Sequence, residues 1–415
     1  MTFSSLGLHE TLVAAMAQQG YAQPTPVQSA AVPPAVAGRD VLVCAQTGSG
    51  KTAAFALAVL QRCKPASSAG FRHPQALVLV PTRELAVQVG GVLSGLARVA
   101  GLPVRVSVVF GGVSINPQLM ALRGGTDVVV ATTGRLLDIV AHNALDLGRV
   151  ETLVLDEADR MLDLGFAEEL ERVLAMVPAQ RQSLLFSATY SAAVRRLAEA
   201  RLRDPVEVTI DTGMQAAPDI MQRAVTVDPS RRTQLLRHLV QQEQWPRVLV
   251  FVATKYAAEM VADKLRRAGL QAEPFHAQLS QGKRGQVLAD FKASDVQVVV
   301  ATDVAARGVD IAGLPVVVNF DLPRAAADYI HRIGRTGRAG LRGMAVSFVT
   351  AENAAHFALI EKRHALEVVR ETVAGFEPEV ALPTVSRDQA AGGVKGRRPS
   401  KKDKLRAAGL LPPLA

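Results

Sequence analysis

Short apolar, β-rich runs recur along this chain, each followed by a turn signal or a helical periodicity. In the first half they are Val41–Val43, Ala76–Val80, Val104–Phe110, Asp127–Ala131, Thr152–Leu155 and Leu184–Ser187. In the second half they are Val248–Val252, Val296–Thr302, Val316–Phe320 and Met344–Val349. A strand that is apolar at consecutive positions, and not only at alternate ones, has to be covered on both faces. Helical segments such as Ala257–Ala268 and Gln286–Lys292 supply that cover. The pattern therefore predicts α/β domains built on parallel sheets. Between the two series lies Thr212-Gly213-Met214-Gln215-Ala216-Ala217-Pro218, which has no periodicity and carries breakers near both ends. At 415 residues there is room for two domains. The expected division is 1–211, a linker at 212–218, a second domain at 219–385 and a tail at 386–415.

Composition narrows the class. Hydrophobic residues make up 49% and charged residues 20%, enough apolar material for full cores. No run reaches the length of a membrane span. Met1-Thr2-Phe3-Ser4-Ser5 lacks the features of a signal peptide. Two cysteines, Cys44 and Cys63, make no disulfide framework and have no zinc-ligand spacing, so a reducing cytoplasm is the expected setting. The formal charge of +9 is unevenly spread. Residues 1–212 hold 18 basic and 18 acidic side chains, 213–386 hold 21 and 18, and 387–415 hold 8 and 2. The Gly-, Arg- and Lys-rich end is read as a disordered basic tail.

The chemistry begins at Val41-Leu42-Val43-Cys44, followed by Ala45-Gln46-Thr47-Gly48-Ser49-Gly50-Lys51-Thr52 and the helical run Ala53–Leu60. A strand, a glycine-bearing loop ending in Gly-Lys-Thr and a helix form a phosphate-binding loop. Gly48 and Gly50 let backbone N–H groups approach phosphate oxygens at a helix N-terminus. Lys51 would reach the β- and γ-phosphates, and the Thr52 hydroxyl would ligate Mg2+. Ala45 stands where the general pattern has its first glycine. Leu153-Val154-Leu155 leads into Asp156-Glu157-Ala158-Asp159. Asp156, at the carboxyl end of a strand, is placed to hold the same Mg2+. Glu157 would orient or deprotonate the attacking water.

Asp156-Glu157-Ala158-Asp159 spells the name motif of the DEAD-box RNA helicases, and the resemblance covers about residues 3–350. Gly20-Tyr21 and Pro24-Thr25-Pro26-Val27-Gln28 resemble the family's Q motif, with Phe3 as its isolated upstream aromatic. The resemblance implies that Gln28 reads adenine, which a carboxamide can do bidentately. Pro81-Thr82-Arg83-Glu84-Leu85-Ala86, Gly111-Gly112 and Thr132-Thr133-Gly134-Arg135 resemble the first domain's RNA-backbone motifs. Arg83, Gly112, Thr132 and Arg135 would then touch phosphates and 2′-hydroxyls. The family usually has proline where Thr133 stands. Ser187-Ala188-Thr189 resembles the motif that couples hydrolysis to strand separation. Ala301–Asp310 resembles the fifth motif, with Thr302 on an RNA phosphate and Asp310 on the ribose of the nucleotide. His331–Arg338 resembles the sixth, with Arg335 and Arg338 as arginine fingers. His276-Ala277-Gln278 departs from the family's usual His-Gly-Asp or His-Gly-Asn. Arg160–Phe166 and Ala289–Lys292 are worded most like the bacterial RhlE-type branch.

The resemblance implies two tandem RecA-like domains and an ATP- and Mg2+-dependent RNA helicase that acts locally on short duplexes or RNA–protein complexes. Only the first half carries a Gly-Lys-Thr loop, so one nucleotide site is expected, completed when the second domain closes on the first. The implied partner is RNA, held by its backbone, with ribosomal or degradosome-type assemblies as further partners, no membrane and a monomeric chain. An ATP-gated RNA clamp that separates no strands shares the same motifs and is the competing reading.

Overall fold

The computed structural model describes residues 2–45, 48–64, 71–210, 220–306, 313–326, 328–337 and 342–379. The linker Thr212–Pro218 and the basic tail lie outside the described residues. The first domain carries β1 (Val41–Cys44), β2 (Ala76–Leu79), β3 (Val106–Val109), β4 (Val128–Ala131), β5 (Thr152–Leu155), β6 (Gln182–Ser187) and β7 (Val206–Thr209). The second carries β8 (Ile220–Thr226), β9 (Val248–Val252), β10 (Ala272–Phe275), β11 (Val298–Thr302), β12 (Val316–Asn319), β13 (Gly343–Val349) and β14 (Arg370–Glu371).

Each set forms one seven-stranded sheet, ordered β3-β4-β2-β5-β6-β1-β7 and β10-β11-β9-β12-β13-β8-β14. Strand for strand the two orders are the same. All pairings are parallel; β1, for example, sets Val41 beside Leu184 of β6 and Val206 of β7. The tandem RecA-like architecture is thus one topology used twice.

The continuous apolar runs find cover on both faces, as a parallel sheet requires. Val41 and Val43 pack on one side of the first sheet and Leu42 on the other. Val248, Val250 and Val252 do the same against Leu249 and Phe251 in the second. At about 1.5–3 kcal/mol per fully buried aliphatic side chain, these alternating contributions hold each strand firmly between its neighbours. Helix Lys51–Arg62 buries Phe55, Leu57 and Val59 beside β1. No helix among the described residues is long and apolar enough to cross a membrane.

Four strands were not among the predicted runs: β7, β8, β10 and β14. All lie at a sheet edge or one place in from it, where cover is incomplete and polar residues are tolerated. β7 exposes Glu207 and Thr209. β8 carries Gln222 and Arg223. β10 contains Pro274, whose missing N–H costs least on an edge strand.

Candidate functional site

The loop after β1 and the turns after β5 and β6 meet at the carboxyl edge of the first sheet, where open α/β sheets bind ligands. Gly48 and Gly50 both take left-handed φ values, +84° and +96°. Gly50 has a second constraint. A Cβ there would lie 2.7 Å from Gln28 Nε2 and 2.8 Å from Thr25 Oγ1. Lys51 then opens the following helix and is buried at 6% exposure. Its ammonium donates to the carbonyl of Ala45 and, at 3.4 Å, to that of Ser187. Burial holds the Lys51 pKa below the usual lysine range, against the opposing pull of Asp156 and Glu157. Thr52 is half-buried on the next position of the helix.

Gln28 belongs to a capping box. Thr25 caps helix Pro26–Val36, with Gln28 N donating to Thr25 Oγ1 and Gln28 Oε1 accepting from Thr25 N at 2.9 Å. Gln28 Nε2 donates to the Gly50 carbonyl at 3.3 Å. A carboxamide has two lone pairs and two N–H groups, so one acceptor and one donor site remain, the pair adenine requires. Tyr21 is 49% exposed, whereas Phe3 is buried in the core with Leu6 and Val27.

Asp156 follows β5 and is 3% exposed. Burial, reinforced by Glu157 and opposed by Lys51, pushes its carboxyl up to about 7. Glu157 is strained: it is a non-glycine residue at φ 52°, ψ 49°, an arrangement costing of order 1–3 kcal/mol and typical of functional sites. Arg160, one turn on, donates to Glu157 Oε2 at 2.5 Å. Asp159 accepts twice from Thr189, from N at 3.0 Å and from Oγ1 at 2.9 Å. Ser187 Oγ donates to the Thr189 carbonyl at 2.7 Å. One continuous chain of contacts thus runs from Lys51 through Ser187 and Thr189 to Asp159.

The oxygens of Asp156 and Thr52 are the hard donors that suit Mg2+. No group of three or more His, Cys, Asp or Glu side chains able to hold a metal stands among the described residues. Mg2+ takes few protein ligands and completes its shell with phosphate oxygens and water.

Sequence comparison shows what the chain is similar to. Residues 25–197 match the DEAD/DEAH box helicase model, and residues 231–340 match the helicase conserved C-terminal domain. Over 361 residues the chain is 41% identical to the DEAD-box ATP-dependent RNA helicase CshA of Geobacillus kaustophilus, covering 87% of this chain and 76% of that one. The chain belongs to the DEAD-box ATP-dependent RNA helicases. Its fold is similar to Dbp5 of S. cerevisiae bound to RNA and ADP BeF3, with TM-score 0.79 and 31% identity over 89% of this chain and 95% of that one. A Dbp5 variant bound to Nup159, Gle1, IP6 and ADP gives a lower TM-score, 0.61, at 29% identity over 89% of this chain and 96% of that one. As a member of this family the protein is an RNA-stimulated ATPase.

The DEAD-box motifs assigned to RNA gather at the other carboxyl ends of the first sheet. Gly112 has φ 76°, and a Cβ there would fall 2.1 Å from the Arg83 guanidinium, so glycine lets the two pack together. Arg135 donates to the Val113 carbonyl at 2.8 Å, while its Nε and Nη1 have no hydrogen-bond partner. Thr132 caps helix Thr133–Ala141 without a side-chain bond, leaving its hydroxyl uncommitted to the helix. Thr133 occupies the first helical position, where proline is favoured, so the helix starts normally without it. In the second domain, Thr302 ends β11 and Arg335 is buried. Asp310 and Arg338 lie outside the described residues.

Several residues inside the quoted motifs were given no role of their own by the sequence reading. Arg160 could have been found by its three-residue spacing from Glu157. Arg332 is 3% exposed and pairs with Asp303 through two contacts of 2.6 Å, a partner that its place in the sixth motif does not reveal. His331 senses Arg160 and Asp159 of the first domain, and burial holds its pKa below the usual histidine range. Glu84, within the Arg83 motif, meets Arg284 of the second domain.

Proposed function

We propose that this helicase works by closing its two domains around one ATP and one RNA strand, separating short duplexes locally without travelling along them. In this reading Gln28 reads adenine, with Phe3 and Tyr21 on the same motif, and Gly48, Gly50 and Lys51 hold the phosphates. Thr52 and Asp156 hold Mg2+, which neutralises phosphate charge when bound. Glu157 orients the attacking water. Asp310 binds the ribose, and Arg335 and Arg338 stabilise the transferring phosphoryl group from across the interface. Arg83, Gly112, Thr132, Arg135 and Thr302 hold the RNA backbone, giving grip without a sequence code.

The observation that carries the reading is the contact chain from Lys51 through Ser187 and Thr189 to Asp159. A change at the phosphate is felt there by groups that also face the second domain. The higher TM-score with the RNA and ADP BeF3 complex supports the same clamped arrangement. ATP and RNA then favour one state and bind cooperatively. One chain supplies both halves of the site, in keeping with a monomer, and the two free thiols suit a reducing cytoplasm. The wording of residues 160–166 and 289–292 supports the RhlE-type branch. The tail at 387–415 acts as a salt-sensitive RNA tether, and its deletion should flatten the salt dependence of RNA binding. Docking to ribosomal or degradosome-type assemblies belongs to the same proposal, with copurification as its test.

Strand displacement on a short RNA duplex, with ATP and with a non-hydrolysable analogue, tests the main claim. Separation followed by rapid release with ATP supports it. ATP-dependent grip with no separation would instead establish an RNA clamp.

A further inference from the structure

Because the two sheets share one strand order, the crevice formed at the ends of β1, β5 and β6 has a counterpart at the ends of β8, β12 and β13. A cavity of about 400 Å³ lies there, lined by Arg232, Asp321, Arg324, Thr350, Glu352 and His356 among others, none from the first domain. The correspondence extends to residues. Gly48-Ser49-Gly50-Lys51 opens the helix after β1, and Pro229-Ser230-Arg231-Arg232 opens the helix after β8. Asp321 follows β12 as Asp156 follows β5.

The triphosphate machinery has been dismantled at this second position. Pro229 stands where Gly48 takes its left-handed turn, and proline has no N–H and cannot adopt that φ. Arg232 is spent: it donates to Asp321 Oδ1 at 2.6 Å and the Phe320 carbonyl at 2.9 Å, and lies over the Phe320 ring. The other Asp321 oxygen accepts from Ala253 N at 2.8 Å. Neither charge is left for a phosphate chain or a metal.

Other groups remain open. Thr350 is 4% exposed and lines the cavity; its N–H goes to Asn353 Oδ1. Arg324 and Glu352 are exposed, form no ion pair with each other and have no other partner among the described residues. His356 uses Nε2 on the Pro323 carbonyl, leaving Nδ1. An exposed guanidinium and a threonine hydroxyl lining the same cavity suit one phosphate group. One free carboxylate suits the exocyclic amino group of a base. The volume falls within the range of small-ligand pockets, about 300–1,000 Å³.

We propose that this cavity is a second small-molecule site that takes a nucleoside monophosphate, with Arg324 and Thr350 on the phosphate and Glu352 on the base. The first domain's crevice would bind nucleotides too, so the test uses the full chain saturated with ADP and Mg2+. Calorimetric titration with AMP, GMP, CMP, UMP and inorganic phosphate should show one further equivalent of binding. The bases that carry an amino group should bind more tightly than UMP and inorganic phosphate. Arg324→Ala, an exposed change that leaves the core intact, should weaken binding at least about tenfold, or about 1.4 kcal/mol. Thr350→Val, of the same shape, should weaken it in the same direction, and Glu352→Ala should remove the preference among bases. All three variants should keep wild-type RNA-stimulated ATPase when no mononucleotide is added. Absence of a second equivalent at millimolar ligand, or undiminished binding by Arg324→Ala, overturns the site. Inorganic phosphate binding as tightly as AMP and GMP overturns the nucleotide assignment.

Discussion

Glu84 of the first domain and Arg284 of the second face each other at 2.9 Å, their side chains only 8% and 3% exposed. The contact is an ion pair by distance more than by alignment, since Glu84 Oε1 and Arg284 Nε lack a hydrogen-bond partner. Burial lowers the Arg284 pKa and Glu84 opposes that shift, while Arg83 adds a like charge nearby. Arg284 also lies over the Phe275 ring. Removing one partner of a buried pair leaves an uncompensated charge, a loss of about 3–5 kcal/mol. Because the partners sit on different domains, that loss should fall on domain closure. Glu84→Gln and Arg284→Gln should each raise the KM for RNA in the ATPase assay at least tenfold. The double variant should be scarcely worse than either single. Single effects that add within about 0.5 kcal/mol would mean the two residues act independently.

Gly50 is predicted to tolerate no side chain. An alanine there carries its Cβ into Gln28 Nε2 and Thr25 Oγ1 while holding φ at +96°. The phosphate loop and Gln28, the proposed adenine reader, would be displaced together. Gly50→Ala should weaken binding of a fluorescent ADP analogue at least about tenfold, that is, by about 1.4 kcal/mol or more. Gly91 provides the contrast, being exposed on helix Arg83–Val99 with open space around its Cβ. Gly91→Ala should leave nucleotide binding unchanged and raise stability by up to about 1 kcal/mol.

Thr189 links Ser187 to Asp159, reaching the carboxylate through its N–H and its hydroxyl. Thr189→Val keeps the shape and the N–H bond but removes a hydroxyl bond to a charged acceptor, worth about 1.5–3 kcal/mol. Lys51, Asp156 and Glu157, the residues proposed to carry hydrolysis, are left in place by this change. RNA-stimulated ATPase should therefore stay within a few-fold of wild type while duplex separation falls at least tenfold. An equal fall in both rates would show that Thr189 serves the chemistry and not its transmission.

Much of this was legible in the chain because it is local. The Gly48–Thr52 loop needs only a strand, a turn and a helix start, all contiguous. The central strands announce themselves because burial on both faces forces apolar residues at successive positions, as in Val248–Val252. β7, β8 and β10 stayed hidden because partial cover permits Glu207, Arg223 and Pro274. The pairing of Glu84 with Arg284, and that of Arg332 with Asp303, depends on how separate elements pack, so neither side chain signals its partner. The dual role of Gln28, cap and candidate base reader, lay between these cases. The Thr25–Gln28 spacing spells a capping box, but only packing against Gly50 reveals what else the side chain holds.

His331 gives the interface a pH dependence whose sign follows from its surroundings. Burial and then Arg160 lower its pKa, with Arg335 adding to them, while Asp159 and Asp328 pull the other way. Arg160 and Asp159 belong to the first domain, so much of this environment exists only when the domains are in contact. An exposed histidine takes up its proton near its ordinary value of 6.5, whereas His331 in the docked structure stays neutral to lower pH. Stability from this residue is therefore complete above about pH 6.5 and is lost as pH falls through that value towards the folded pKa. Lowering the pH from about 7.5 to about 5.5 should weaken ATP- and RNA-driven closure, read as energy transfer between dyes on the two domains. His331→Gln, which cannot take up the proton, should lose less over the same interval. A variant whose closure falls as steeply as wild type would assign the pH dependence to the carboxylates instead.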